Sequence, residues 1–248
     1  MKHFLAFAAI VLASAVHADF VYNNFTAPTD LQLNGSATLS GPVLRLTVAD
    51  VSGQAGTAWH TNAQDLSNGF AVAAVFNGNG TSDLGQWGPN NGADGVAFAF
   101  QGDGVNALGD GGGDNGIGGV PNMVALSFRT FWDDIHLITT DSNGMIVDDM
   151  SVGFAFNDNT DYALSATYNA ATFDWNVFVD NNFVANFNLN ASGILNAPVY
   201  AGLASGTGGA DNNNDIKAWA VFAEPVPEPG SIAAVAAFAL AAFKRKKL

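Results

Sequence analysis

Ala93-Asp94-Gly95-Val96-Ala97-Phe98-Ala99-Phe100 is an apolar run launched from an aspartyl-glycyl turn. Beyond a glycine-rich stretch, Leu108 to Gly119, a second run follows: Val124-Ala125-Leu126-Ser127-Phe128-Arg129-Thr130-Phe131-Trp132-Asp133-Asp134-Ile135-His136. Short apolar runs bounded by Gly and Asn read as buried strands. Period-two alternation over 124–132 places Ala125, Ser127, Arg129 and Phe131 on one face of such a strand. Ala71-Val72-Ala73-Ala74-Val75-Phe76 is another candidate strand. Phe173, Trp175, Val177 and Val179 alternate along one face, Asp180-Asn181-Asn182 turns, and Phe183, Ala185, Phe187 and Leu189 alternate back, which is the pattern of a hairpin. Many strands with no helices between them predict an all-β, antiparallel sandwich. No repeat or linker divides residues 19–223, so this span is expected to be one domain.

Composition supports that reading. The chain has 248 residues, 48% apolar and only 12% charged, enough for one substantial core. Its 28 glycines and many asparagines suit turns better than helices. With no cysteine, neither disulfides nor thiol catalysis can contribute. From Asp19 to Pro225 there are three basic side chains (Arg45, Arg129 and Lys217) against 21 acids, a net of −18. Such a surface repels phosphate backbones and excludes nucleic acid as a partner.

The two ends carry a different chemistry. Met1-Lys2 precedes an apolar run, Phe4 to Val16, and small residues before Asp19, which describes a secretory signal peptide over residues 1–18, a substrate of signal peptidase. Residues 224–248 hold Pro227-Glu228-Pro229, an apolar helix over Ser231 to Phe243, and the basic end Lys244-Arg245-Lys246-Lys247. Thirteen helical residues rise only about 20 Å, short of a hydrocarbon core of roughly 30 Å, so the segment is a marginal span whose basic end stays cytoplasmic. These three parts in order resemble a PEP-CTERM sorting signal. That resemblance implies transient anchoring in the inner membrane of a Gram-negative, exopolysaccharide-producing bacterium, cleavage by an exosortase, and a final place at the cell surface or in the extracellular matrix.

The central domain resembles the L-type (legume-like) lectins. The resemblance rests on Phe20 to Phe25, Leu31 and Leu33, Gly35-Ser36-Ala37, Leu44 to Thr47, Gly56-Thr57-Ala58-Trp59, the Ala93-Asp94-Gly95 turn, Val199 to Gly209, and Asp215 to Trp219. It implies a concanavalin A-like jelly roll and carbohydrate binding. In this family the aspartate of the turn is the sugar-binding carboxylate and follows a cis peptide that calcium helps to maintain. The next strand's two acids bind calcium and a transition metal, and those positions are Ser127 and Arg129 here.

A sugar site needs a fixed carboxylate, backbone donors, and an apolar or aromatic face for the ring. Read alone, Asp94 is a turn aspartate satisfying nearby N–H groups; the resemblance makes it the sugar carboxylate. The same resemblance places Gly112, Gly113, Asp133, Gly208, Gly209, Asp211 and Asn212 around it, and Phe131 and Trp132 supply candidate stacking faces. Arg129 opposes a divalent ion, which needs about six to eight oxygens. The expectation is that its guanidinium replaces the cation by pairing with Asp133, Asp134 or Asp94, leaving no cofactor. The alternative is a single Ca2+ on Asp133, Asp134 and His136. Glycosidases of related folds need paired carboxylates, yet both glutamates, Glu224 and Glu228, lie at the tail junction, so no enzyme is expected. The functional expectation is an exported binder of exopolysaccharide or a surface glycan, the alternative a structural or adhesive matrix protein with a decayed sugar site.

Overall fold

The computed structural model of the protein describes residues 19–80 and 92–223. The signal segment and the tail, with the apolar helices expected in them, lie outside the described residues. Fifteen strands run in chain order: β1 (Phe20–Tyr22), β2 (Leu31–Gly35), β3 (Thr38–Ser40), β4 (Val43–Thr47), β5 (Ala55–His60), β6 (Phe70–Asn79), β7 (Gly95–Gln101), β8 (Met123–Arg129), β9 (Asp134–Thr140), β10 (Ile146–Gly153), β11 (Asp161–Asn169), β12 (Asp174–Val179), β13 (Asn182–Asn188), β14 (Tyr200–Gly206) and β15 (Asn213–Phe222). They form two antiparallel sheets. One is ordered β13-β12-β11-β6-β15-β4-β3, with β1 added beside β15; the other is ordered β10-β9-β8-β7-β14-β5-β2. This is the antiparallel sandwich that the strand pattern predicts, with the jelly-roll architecture that the family resemblance implies. Two short helical turns interrupt it, a 3-10 turn at Gly112–Asp114 and one α-turn, α1, at Ser192–Leu195.

The alternation in β7 is explained by two different cores. Val96, Phe98 and Phe100 enter the layer between the sheets with Val124, Leu126 and Phe128 of β8. Ala97, Ala99 and Ala125 face the other way, yet they are also buried, packed with Trp59, Ala107, Ile117 and Val120. The glycine-rich segment therefore lies over the second sheet face, and the side chains beneath it are small because that segment sits close. An antiparallel bridge between Asp110 and Gly118 closes the segment on itself, and Asn115 Nδ2, donating to Ser127 Oγ of β8 at 2.8 Å, holds it against the sheet.

Two details depart from the sequence pattern. The strand expected over 124–132 ends at Arg129, and Phe131 and Trp132 belong to the turn that follows. The hairpin is present, with Asp180 and Asn181 at φ 51° and 64°, the left-handed pair of a tight turn. A register shift falls between Val177 and Phe178, however, so Phe178 pairs with Phe183 while Val177 pairs with Ala185. This bulge turns Phe183 to solvent, 59% exposed, away from Ala185 and Phe187.

On β14, Gly202 pairs with Trp59 of β5, and a Cβ there would stand 2.1 Å from the indole Cε3. Trp59 cannot retreat, since it is fully buried and its Nε1 donates to the Ala107 carbonyl at 2.7 Å. Gly202→Ala is therefore expected to cost about 2–4 kcal/mol in chemical denaturation, at the upper end of overpacking effects.

The strand β15 joins two opposite ends of the sandwich. Its first residues abut the Ala93–Asp94 turn, where Asn214 Nδ2 donates to the Ala93 carbonyl at 3.1 Å. At its far end the Asp19 N–H donates to the Val221 carbonyl at 3.0 Å, and the Asp19 carboxylate accepts from the Ala223 N–H at 2.6 Å. The start and the finish of the folded span thus share one corner. Among the described residues no helix is long and apolar enough to cross a membrane.

Candidate functional site

The turn before β7 is held from several elements. Asp94 N–H donates to the Gly206 carbonyl on β14, and Thr130 N–H, just beyond β8, donates to the Asp94 carbonyl, both at 2.9 Å. Thr130 Oγ1 donates to the Gly92 carbonyl at 2.9 Å. The Ala93–Asp94 peptide is cis. Gly92 admits no side chain, because a Cβ would fall 1.6 Å from Asn212 Nδ2. With its main chain bonded to Gly206 on β14 and to Thr130 just beyond β8, Asp94 has a fixed direction.

Its carboxyl is 5% exposed, and burial pushes its pKa up to about 6. The Gly208 N–H and the Arg129 charge act against that rise, and the Asp114 charge adds to it. Asp94 Oδ2 has no donor among the described residues. A buried acceptor left open in this way is uncommon and marks a place where a donor can arrive.

Glycines surround this oxygen. A Cβ on Gly208 would lie 3.4 Å from Asp94 Oδ2 and 3.6 Å from the Gly112 Cα, ordinary contact distances that place the Gly208 and Gly112 backbone against the carboxyl. Gly112, at φ 64°, donates its N–H to the Thr207 carbonyl at 3.1 Å and brings the glycine-rich segment against β14. Gly113 faces Trp132, whose Nε1 stands 3.4 Å from where a Gly113 Cβ would be. Trp132 is 57% exposed; Phe131 meets it edge-on at 5.2 Å, and the Arg129 guanidinium sits 5.8 Å from its ring. An open indole braced by a cation offers a flat apolar face that is held in place.

Arg129 is the centre of a charged cluster. Its Nε and Nη2 donate to both oxygens of Asp134, each at 2.7 Å, a bidentate fork. Nη2 also stands 2.8 Å from His136 Nε2, and His136 Nδ1 is 2.6 Å from Asp149 Oδ1. A guanidinium can only donate, so His136 Nε2 accepts and Nδ1 carries the hydrogen toward Asp149. The guanidinium holds the Asp134 carboxyl below its usual range despite burial, which acts the other way.

Asp134 and His136 are occupied by a fixed cation, and Asp133 turns elsewhere, its Oδ1 accepting from Phe156 N–H at 2.8 Å. Among the described residues no other group of three acids or histidines is arranged to hold a metal.

Of the residues singled out in the sequence, the structure gathers Asp94, Gly112, Gly113, Gly208, Arg129 and Trp132, with Phe131 beside Trp132. Gly209 is exposed next to Gly208. Three others are turned inward. Besides Asp133, these are Asp211, 4% exposed with Oδ1 accepting from Asp50 N–H at 2.6 Å, and Asn212, fully buried and donating to Asp158 at 3.1 Å. Thr130, Asn214 and Asp149 go unremarked in the sequence because hydroxyls, amides and edge carboxylates are abundant. Only the pairing register reveals them.

The comparisons with known proteins follow this geometry. A family model described as the legume lectin domain matches residues 17–233. Lectin II from Ulex europaeus is similar in structure, with 18% identity, a TM-score of 0.68, and coverage of 83% of this chain and 99% of that one. Winged bean acidic lectin complexed with methyl-α-D-galactose is 18% identical, with a TM-score of 0.67 over 82% of this chain and 96% of that one. The exoplasmic/lumenal domain of VIP36 in its Ca2+/mannose-bound form is 19% identical, with a TM-score of 0.59 over 81% and 85%. No curated protein sequence matches the chain.

Proposed function

Because the chain belongs to the legume lectin domain family and is therefore a carbohydrate-binding protein of that class, we propose that Asp94 grips a neutral sugar without a metal. Asp94 accepts the hydroxyls, Gly112, Gly113, Gly208 and Gly209 form the close backbone wall, and Trp132 with Phe131 supplies the ring face. Arg129, paired to Asp134, stands where a cation would order the turn. The observation that carries this reading is the buried Asp94 Oδ2 with no donor, connected through the backbone of Gly208, Gly112 and Gly113 to an exposed indole.

Galactose and mannose, the sugars bound by the structural neighbours, are the first to test. A glycan array with the purified chain is expected to give the same profile with Ca2+ and with a chelator. Trp132→Ala should weaken binding by about tenfold, typical of a lost stacking residue, while leaving unfolding within about 0.5 kcal/mol. Loss of binding on chelation would sink the metal-independent reading.

We further propose that the protein is exported, held briefly at the inner membrane by residues 224–248, and delivered to the cell surface or matrix, with exopolysaccharide as the natural glycan. Signal peptidase and an exosortase would be the processing enzymes, and the masses of the cell-associated and released forms test both cuts. One observation favours a structural matrix role instead: Asp133, Asp211 and Asn212 serve internal bonds. No binding across the array together with self-association would decide for that role.

A further inference from the structure

A hollow lies beside the Arg129 cluster, and two of its lining charges, Arg129 and Asp114, act on the Asp94 carboxyl. Gly113 and Arg129, both beside Trp132, form part of its wall, together with Asp114, Ser127, His136 and Asp149 on the polar side and Ile138 and Ile146 on the apolar side. Its volume of ≈ 60 Å³ admits roughly four water-sized groups. That is room for the edge of a pyranose rather than a whole ring.

The hollow exists because of two side chains. Ser127 is short, and its Oγ accepts from the buried Asn115 Nδ2 at 2.8 Å, which leaves its own hydrogen to donate. Arg129 is drawn aside by the fork to Asp134 and so does not fill the space. Asp149 uses Oδ1 for His136 and sits on β10, an outer strand of its sheet, with its side chain 48% exposed. The charges are unbalanced: one guanidinium stands among Asp114, Asp134 and Asp149. Hydroxyls and ammonium groups can donate into such a place, whereas a carboxylate or sulfate is repelled. The isoleucines offer contact for C–H surface.

We propose that this hollow is a second sugar subsite, holding the edge of the residue next to the one gripped at Asp94, and that it accepts neutral or amino-bearing sugars and rejects uronates. It rests on the carbohydrate reading above and names the class of glycan: an oligosaccharide read over at least two residues.

The test is calorimetric titration of the purified chain with hexoses and N-acetylhexosamines, and with disaccharides of each extended by a neutral, amino or uronate residue. Neutral and amino disaccharides are expected to bind at least about tenfold more tightly than the monosaccharide, and uronate disaccharides to show no such gain. Ser127→Met, which fills the hollow, and Asp149→Asn, which removes its outer charge, should each cut the gain to less than about threefold, with the monosaccharide constant unchanged within about twofold. If Ser127→Met loses its cooperative unfolding, the exposed Asp149→Asn carries the test. Equal affinity for mono- and disaccharides, or a gain that survives the variants, overturns the subsite alone. No saccharide binding at all removes both the subsite and the carbohydrate reading. Heat from Ca2+ or Mn2+ titrated alone, lost in Asp149→Asn, makes the hollow an ion site and overturns the proposal.

Discussion

Asp94→Asn is expected to weaken glycan binding roughly 100-fold and, at pH 7, to raise the stability of the fold. The carboxyl titrates near 6 when folded, against an ordinary 3.8, mainly because burial disfavours its charge. The folded state therefore holds this proton more tightly than the unfolded chain does. Stability contributed by the protonated form is complete below pH 3.8 and falls as pH rises toward 6; at pH 7 the charge is a net cost, at most about 3 kcal/mol. Asparagine removes the charge but buries an N–H, so a gain of about 1–2 kcal/mol is the expected balance. Binding moves oppositely, because a carboxylate accepts from sugar hydroxyls far better than an amide. Two charge-assisted hydrogen bonds lost correspond to about 3 kcal/mol, a fall of roughly 100-fold. In the wild type, affinity should climb as pH rises through about 6, and in Asp94→Asn that slope should vanish. Denaturant unfolding and calorimetry at pH 5 and pH 7 check both halves. Retained affinity in the variant would remove Asp94 from the site.

Arg129→Met has the second largest expected effect. It strands the Asp134 carboxylate beside His136 without the fork that now satisfies both its oxygens. Breaking a fully buried pair costs 3–5 kcal/mol; because these side chains retain some solvent contact, 23% and 21%, about 2 kcal/mol is the better expectation. The substitution also removes a charge that restrains the Asp94 carboxyl. The pH midpoint of sugar binding should therefore move upward, a change that a purely structural loss would not produce. Arg129→Lys should not restore the wild type, since an ammonium cannot span both carboxylate oxygens. An unmoved midpoint in Arg129→Met would refute the coupling of the guanidinium to the sugar carboxylate.

Much of the architecture was legible where a pattern is local. The apolar run of β7 and the Asp180-Asn181-Asn182 turn state their own geometry, and both stand in the fold. What escaped was non-local. Ala97 and Ala99 are small because a distant loop covers them, and Phe183 is displaced by one inserted residue that no period can show. At the site, the sequence left Asp133, Asp134 and Asp94 open as partners of Arg129; the β8–β9 register, which sets Arg129 opposite Asp134, decides among them. The link onward to Asp149 depends on the β9–β10 register, which places Ser151 across from His136. Asp133, Asp211 and Asn212 are of a type that suits a sugar, but short polar side chains in loops also satisfy backbone and neighbouring groups. Composition cannot decide which way they turn.

The ten residues of β15 separate the Asp94 end of the sandwich from the corner where Asp19 and Ala223 meet, a distance of about 33 Å at strand rise. Anything fastened to the chain beyond either terminus pulls on that corner and leaves the Asp94 turn at the opposite pole. A tether would thus aim that pole outward, and trimming it away would leave the bonds that hold the turn undisturbed.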